Sequence, residues 1–311
     1  MRPLGNSHQK LNSPIASFEY NEPEASCQDN SSLDIRTISE HYVFKVYPNC
    51  VEYYPKKGSD YYKNRRSAPR GNIQEFSKKS RFRLFHLMSK INNKLSTKPL
   101  FITLTYHHGH HKVHSNTKGQ LHHFLVMLRR FDPHVEYIWR IELQKRGAPH
   151  YHMIIFPGIV ETDFYKDDYW AKVAMLWHSI ADPDSRAHKD YGCVVREINS
   201  YRDACAYISK YVGKYNPEED PVKVGRHWGN SRNLPFRINS HVTTNRSEAK
   251  KIIEILRNWL LEHGKKQYAC EEYFNIMRPQ VIFISSEMFE EIRGSDKTDI
   301  LAENYEVTPN V

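Results

Sequence analysis

The chain has 311 residues, of which 39% are hydrophobic, and it carries a formal net charge of +9 at pH 7. It contains no apolar run of about 18 residues, and its first residues, MRPLGNSHQK, hold no apolar signal core, which argues against membrane insertion and secretion. Its five cysteines include no CxxC pair, so a disulfide framework or thiolate zinc site is disfavoured and a reducing, cytoplasmic compartment is expected. The basic surplus then favours a nucleic acid as the polyanionic partner.

The N-terminal region divides into a polar segment and an aromatic segment. Residues 1–38 are rich in Ser, Asn, Glu and Pro without a sustained period, so disorder is predicted there. Residues 41–54, HYVFKVYPNCVEYY, combine aromatic and β-branched residues and predict a hairpin or an edge strand.

A basic run follows at residues 56–83. Tyr61 and Tyr62 lie among its charges, as expected if nucleotides stack there, although a solvated helix face is the commoner origin of such a run. The candidate DNA-binding residues of this run are three arginines: Arg65, Arg66 and Arg70. A helix is expected to overlap its end because apolar residues recur at helical spacing: Leu84, Leu87, Met88 and Ile91.

The rest of the chain alternates between strand and helix patterns. Strands are predicted at 99–106, 135–144, 150–156, 192–198 and 280–285, and helices at 118–131, 161–181, 200–215 and 247–263. Antiparallel hairpins with interspersed helices predict an α+β fold, in which helices pack on one central antiparallel sheet of about five strands. The C-terminal residues 236–311 are expected to form a mostly helical extension.

Two histidines stand on one face of the strand that begins HYH. Side chains alternate along a strand, so His150 and His152 point the same way. If residues 145–149 form the turn, position 144 lies opposite 150 and position 142 opposite 152, which places Glu142 beside His152. Two imidazoles and a carboxylate can hold a divalent cation with positions open for substrate, and Gln144 is the second candidate for the third ligand. The alternative is a pair of core histidines satisfied by hydrogen bonds.

Two other segments have residues that suggest binding. The tract HHGHHKVH at 107–114 fits no closed metal site and is expected to be a loop near the site. In GRHWGNSRN at 225–233, Trp228 could stack on a base, or it could anchor a turn from a buried position.

The predicted helix at 200–215 brings two phenols together with lysines. Tyr207, Tyr211 and Lys214 fall on one narrow stripe, bordered by Lys210. Half-buried aromatic residues are the commoner reason for tyrosines on an amphipathic helix. The functional alternative is chemical: a phenolate can attack a DNA phosphodiester, which gives a phosphotyrosine and a free 3′-hydroxyl.

Three motifs in order resemble a known family. FITLTY (101–106), ELQKRGAPHYH (142–152) and YISKYVGK (207–214) look like motifs I, II and III of the HUH endonucleases, and especially of the rolling-circle replication initiators of small single-stranded DNA phages and related plasmids. The resemblance covers roughly residues 99–230. Two features limit it: some relatives use one tyrosine only, and no GxxxxGK[ST] helicase motif is present.

The resemblance implies roles for particular residues. Metal ligands for Mg²⁺ or Mn²⁺ would be His150, His152 and Glu142. The paired nucleophiles would be Tyr207 and Tyr211, with Lys214 as the lysine that follows the second. In such a fold the tyrosine helix packs over the histidine strand of a central antiparallel sheet.

The implied function is site-specific nicking and joining of single-stranded DNA through a 5′-phosphotyrosine, which initiates rolling-circle replication of a phage or plasmid. Its partners would be origin DNA, a host helicase and a host DNA polymerase in the bacterial cytoplasm, with no membrane. The rival functions are a relaxase or transposase with the same chemistry, and a non-catalytic DNA-binding regulator. The endonuclease domain is predicted at residues 39–235.

Overall fold

The structure is a computed structural model that describes residues 41–56, 73, 76–92, 94–95, 97–106, 114–158, 166–198, 225–262 and 280–285. Several predictions made from the sequence lie outside these residues. They concern the N-terminal segment 1–38, the arginines at 65, 66 and 70, and the helix at 200–215 with Tyr207, Lys210, Tyr211 and Lys214.

The described elements follow one another along the chain as strands and helices. They are β1 (His41–Tyr47), β2 (Cys50–Pro55), α1 (Lys78–Ser89), β3 (Leu100–Thr105), α2 (His114–Phe131), β4 (Glu136–Leu143), β5 (Pro149–Phe156), α3 (Lys166–Ala181), α4 (Arg186–Tyr191), β6 (Cys193–Glu197), β7 (Trp228–Asn230), β8 (Ser240–Asn245), α5 (Arg246–Glu262) and β9 (Gln280–Ile282). Within the described ranges, no helix is long and apolar enough to cross a membrane.

The described strands form two antiparallel sheets. One has the order β8-β1-β2-β9 and the other the order β6-β3-β5-β4-β7. Helices pack on both, so the predicted α+β class is confirmed. The five-stranded sheet is the central sheet that the sequence predicts. The four-stranded sheet was not predicted as a unit, although its first hairpin, β1–β2, was.

One face of the five-stranded sheet is apolar along its whole width. Every second residue of β4 and β5 points there, and α2 and α3 cover it. The core on this side includes Tyr137, Trp139, Ile141, Tyr151 and Met153 from the sheet, and Leu121, Phe124, Leu128, Val173 and Trp177 from the helices. Burial of these large side chains is the main source of stability for this layer.

The opposite face of the same sheet is only half covered. Helix α1 begins after Ser77, whose hydroxyl accepts from the Ser80 amide, and packs over the lower half of β3, β4 and β5. This second core holds Phe76, Leu84, Met88 and Ile91 with Phe101, Ile138, Ile154 and Phe156. The other half of this face carries polar side chains, and it contains the candidate site.

The four-stranded sheet joins both ends of the described chain. Strand β8 pairs with β1, β9 pairs with β2, and α5 packs its apolar stripe on them. The sheet therefore includes residues from both sides of the predicted boundary at 235, and the domain limits themselves stay a prediction.

Glu52 on β2 links this sheet to α1. Its carboxylate pairs with the His86 imidazole at 2.7 Å and with the Lys90 ammonium. Burial alone would raise the pKa of Glu52, but the hydrogen bonds from His86 and Lys90 lower it to about 2.

We expect Glu52→Gln to destabilise the protein in a pH-dependent way. Because the folded-state pKa lies below the ordinary value, the ionised carboxylate stabilises the fold above about pH 4.5, and that stability is lost as the pH falls towards 2. The variant should lose about 2–3 kcal/mol of unfolding free energy at pH 7 and roughly half of that at pH 3. Urea denaturation measures both values, and an equal loss at the two pH values would contradict the ion-pair account.

Candidate active site

The β4–β5 hairpin brings the polar residues to one face of the sheet. Glu142 lies opposite His150 and Arg140 opposite His152. The predicted register, 144 with 150 and 142 with 152, was therefore wrong by two residues, although the shared face was right. The turn occupies 144–148 instead of 145–149: Gly147 has a φ of 82°, its amide donates to the Gln144 carbonyl, and Pro149 is already paired with Leu143.

Glu142 bridges two neighbours with its two carboxylate oxygens. Oε2 lies 3.1 Å from Nε2 of His152, and Oε1 lies 2.9 Å from Nη1 of Arg140. The contact of less than about 5 Å that we expected between Glu142 and His152 is present. Arg140 is 5% exposed and its guanidinium lies over the ring of Phe76. A buried carboxylate needs a cation or a donor, and Arg140 supplies a cation from the same strand.

His150 is held from the other side. Its Nδ1 lies 2.9 Å from the Thr105 hydroxyl and 3.3 Å from the Gln144 amide nitrogen. Its ring centre lies 4.5 Å from that of His152. Burial first, and then the neighbouring His152, lower the pKa of His150 to about 4, so its imidazole is neutral at neutral pH.

A pocket of about 300 Å³ opens above these side chains. It is lined by Phe101, Thr103, Glu142, His150, His152, Val194 and Arg196. The strand pairing explains the set: Thr103 on β3 lies between His152 on β5 and Val194 on β6, and Arg196 lies one step further along the same face. The pocket therefore has imidazoles and a carboxylate on one side and an exposed guanidinium on the other.

The donor set partly fits a divalent cation. Two ligands at right angles, each about 2.1 Å from a cation, lie about 3.0 Å apart. The 3.1 Å between Glu142 Oε2 and His152 Nε2 matches that separation. His150 can offer its Nε2 if Nδ1–H donates to Thr105, a pattern usual for metal-bound histidines. In the described part of the chain, however, no three His, Cys, Asp or Glu side chains already form a complete cation site.

Trp228 is the only one of the predicted DNA-contacting residues that the structure describes. It lies in β7 opposite Arg140, its indole N–H donates to the Ser80 hydroxyl at 2.9 Å, and its ring packs partly buried against the α1 core. This placement favours the anchoring alternative, in a strand rather than a turn. Of the histidine tract at 107–114, residue 114 begins α2 and residues 107–113 lie outside the described chain.

The segment 199–224, which carries both predicted nucleophiles, begins and ends at opposite edges of the sheet. Ile198 follows edge strand β6 and its amide donates to the Pro99 carbonyl. Trp228 starts β7 at the other edge. The chain therefore enters this segment on one side of the histidine strand and returns on the other.

Sequence reasoning missed three residues that shape the site: Thr105, Arg140 and Arg196. The alternation of β4 did place Arg140 on the histidine face, and the pattern of VVRE in β6 could have shown that Val194 and Arg196 share a face. Their distance from the histidines depends on strand order, which alternation alone does not show.

Comparison with known proteins connects this segment with DNA replication. A family model for replication-associated proteins of the ORF2 type matches residues 99–216. The match begins at β3, contains the β4–β5 hairpin, and extends past Tyr211. No curated protein and no solved structure gave a significant match. Residues 99–216 are thus similar to the replication-associated proteins of that family, and these residues include the whole histidine strand.

Proposed function

We propose that the protein nicks and rejoins single-stranded DNA at a specific site and so initiates rolling-circle replication of a phage or plasmid. The observation that carries the proposal is the pocket over β5. It joins two histidines, a carboxylate and a guanidinium at the scale of one phosphate group, within the segment that matches the replication-associated family. The reaction would take place in the cytoplasm of a bacterial host.

The proposed ligands of a Mg²⁺ or Mn²⁺ ion are His150, His152 and Glu142. Such an ion would polarise the scissile phosphodiester as a Lewis acid. Arg140 keeps the Glu142 carboxylate oriented, and Thr105 can fix the His150 tautomer that leaves Nε2 for the ion. The neutral state of His150 at neutral pH is the state that ligation requires.

The proposed nucleophiles are Tyr207 and Tyr211. A phenolic oxygen attacks phosphorus, the bond from phosphorus to the 3′-oxygen breaks, and that oxygen takes up a proton. The protein then holds the 5′ end as a phosphotyrosine, and the free 3′-hydroxyl primes a host polymerase behind a host helicase. Lys214 would offset phenolate charge. The placement of the ends of segment 199–224 at opposite edges of the sheet supports delivery of these residues to the histidine face.

Contacts to the rest of the strand are assigned to basic residues. The proposed set is Arg65, Arg66, Arg70 and Lys210, with Trp228 as a base contact, and Arg196 is added from the structure. Arg196 is exposed and belongs to the pocket lining, so it can contact the scissile phosphate opposite the histidines.

We expect Arg196→Ala to weaken both binding and cleavage. Loss of one charged hydrogen bond to phosphate should lower affinity for single-stranded DNA about tenfold and reduce the salt dependence by about 0.7 in the logarithmic slope. Arg130→Ala is the matched control, because it removes the same charge from an exposed position on α2, on the other side of the sheet. Filter binding over a salt series tests this, and equal effects of the two variants would contradict a specific phosphate contact.

A relaxase or transposase would use the same chemistry on another DNA. A non-catalytic regulator has one observation in its favour, since the Arg140–Glu142 ion pair satisfies the carboxylate without a metal. A joining assay separates the enzyme from the regulator. Two oligonucleotides of different length that share the nick site should exchange their ends in Mn²⁺ without ATP, because the phosphotyrosine conserves the bond energy. Absence of joined products would refute the proposed strand transfer.

A further inference from the structure

A second pocket, of about 610 Å³, lies on the far side of His150. We call it the Tyr191 pocket; its lining includes Thr105, Tyr106, Gln144, Arg146, Tyr191 and Gly192. The Thr105 hydroxyl and the Gln144 amide both contact Nδ1 of His150. These two side chains therefore form a wall that the Tyr191 pocket shares with the candidate active site.

Tyr191 presents an aromatic side chain to solvent on a firmly held backbone. It is 77% exposed, whereas the following Gly192 is buried. The Gly192 amide donates to the His188 carbonyl at 2.7 Å, and its own carbonyl accepts from the Thr105 amide at 2.8 Å. A Cβ at Gly192 would lie 2.5 Å from the His188 oxygen, so the chain packs too closely there for any side chain. The backbone that carries the tyrosine is thus fixed to the end of β3.

The polar groups of the pocket suit a nucleotide. The Arg146 Nε donates to the Gln144 amide oxygen at 2.8 Å, and its terminal nitrogen donates to the Tyr106 carbonyl. These bonds hold a guanidinium beside the pocket, where its charge attracts a polyanion. An exposed tyrosine beside a cation is the combination on which single-stranded nucleic acids stack.

We propose that the Tyr191 pocket binds the base of a nucleotide adjacent to the scissile phosphate, stacked on the Tyr191 ring. The proposal rests on the proposed nicking function, because the shared wall at Thr105 and Gln144 places the pocket next to that phosphate. A strand whose phosphate lies over the histidines would cross this wall and bring a neighbouring base into the pocket.

The test separates bases from phosphates. Affinities are measured, with chelator present, for oligothymidylate and for an oligonucleotide of equal length made of abasic tetrahydrofuran residues. Tyr191→Ala should reduce the preference for the base-containing strand about tenfold, while Tyr191→Phe should retain it. Phe236→Ala is the control, since Phe236 is an exposed aromatic outside the pocket. An unchanged preference in Tyr191→Ala would overturn the proposal.

A second measurement places the base relative to the cut. Single abasic residues are moved along the nicked oligonucleotide, and the wild type should lose cleavage sharply at one position beside the scissile phosphate. Tyr191→Ala should show no further loss at that position, and additive losses would overturn the placement. A wild type that prefers bases through Tyr191 but never nicks would refute the proposed function alone. A nicking enzyme with no Tyr191 dependence would refute the base pocket alone.

Discussion

Replacement of both histidines, His150→Ala with His152→Ala, should reduce DNA nicking at least about a thousandfold. The two imidazoles are proposed to hold the cation that polarises the scissile phosphate, a contribution of several kcal/mol to the barrier. Binding of single-stranded DNA should fall far less, because the basic surface supplies most of the affinity. Gel-based nicking with Mn²⁺ and filter binding on the same preparations measure the two effects separately.

The control for this variant is His122→Ala with His123→Ala. These histidines are exposed on α2, which covers the opposite face of the sheet, so the same two groups are lost without a change at the site. Melting temperatures check that the substitution of the buried His152 has not unfolded the domain. Chelator-resistant nicking by a folded double variant would show that the metal assignment is wrong.

The second large effect concerns the two tyrosines. Tyr207 and Tyr211 are four residues apart, about one helical turn if that segment is helical, so either phenol could reach the same phosphate. Tyr207→Phe and Tyr211→Phe should each retain one nicking event on an oligonucleotide with the true site. The double variant should form no adduct, and each single variant should fail to release a closed circle, because completion of a round needs both phenols.

Peptide mapping of the DNA adduct decides between one nucleophile and two. Adducts on both tyrosines, each surviving in the variant of the other, would support alternating attack. If DNA is attached to one tyrosine only, and its Phe variant is inactive, the protein is a single-nucleophile enzyme. The other phenol would then serve to position or stack the strand.

The elements around the site were predictable because their patterns are strong and local. Strand β4 alternates Tyr137, Trp139 and Ile141 with the residues of the opposite face, and the structure buries that apolar row under α2 and α3. Helix α2 begins at His114, four residues before the predicted start, because its first turn, HSNT, is polar and shows no apolar period.

The second sheet was not predictable in the same way. Strand β8 reads SHVTTN, and only Val242 and Thr244 are buried among its otherwise polar residues. Its partner β1 lies near the other end of the described chain, and a local pattern contains no information about so distant a pairing. Strand β7 is three residues long, below the length at which alternation is recognisable.

At the site, the face was predictable and the distances were not. Alternation puts Glu142, His150 and His152 on one side, whatever the register. The register itself depends on where the turn begins, which Gly147 and the pairing of Pro149 decide. Arg196 reaches the pocket only because β6 and β5 flank β3, and Tyr191 because Gly192 binds the end of that strand.

One measurement tests the central claim most directly. The wild-type protein is incubated with end-labelled single-stranded origin DNA, with Mn²⁺ or with chelator, and the products are separated on a denaturing protein gel. We predict a labelled band at the mass of protein plus DNA when the 3′-side fragment is labelled, present with Mn²⁺ and absent with chelator. Cleavage without any such covalent band, or a band that persists in chelator, would contradict metal-assisted attack by a tyrosine.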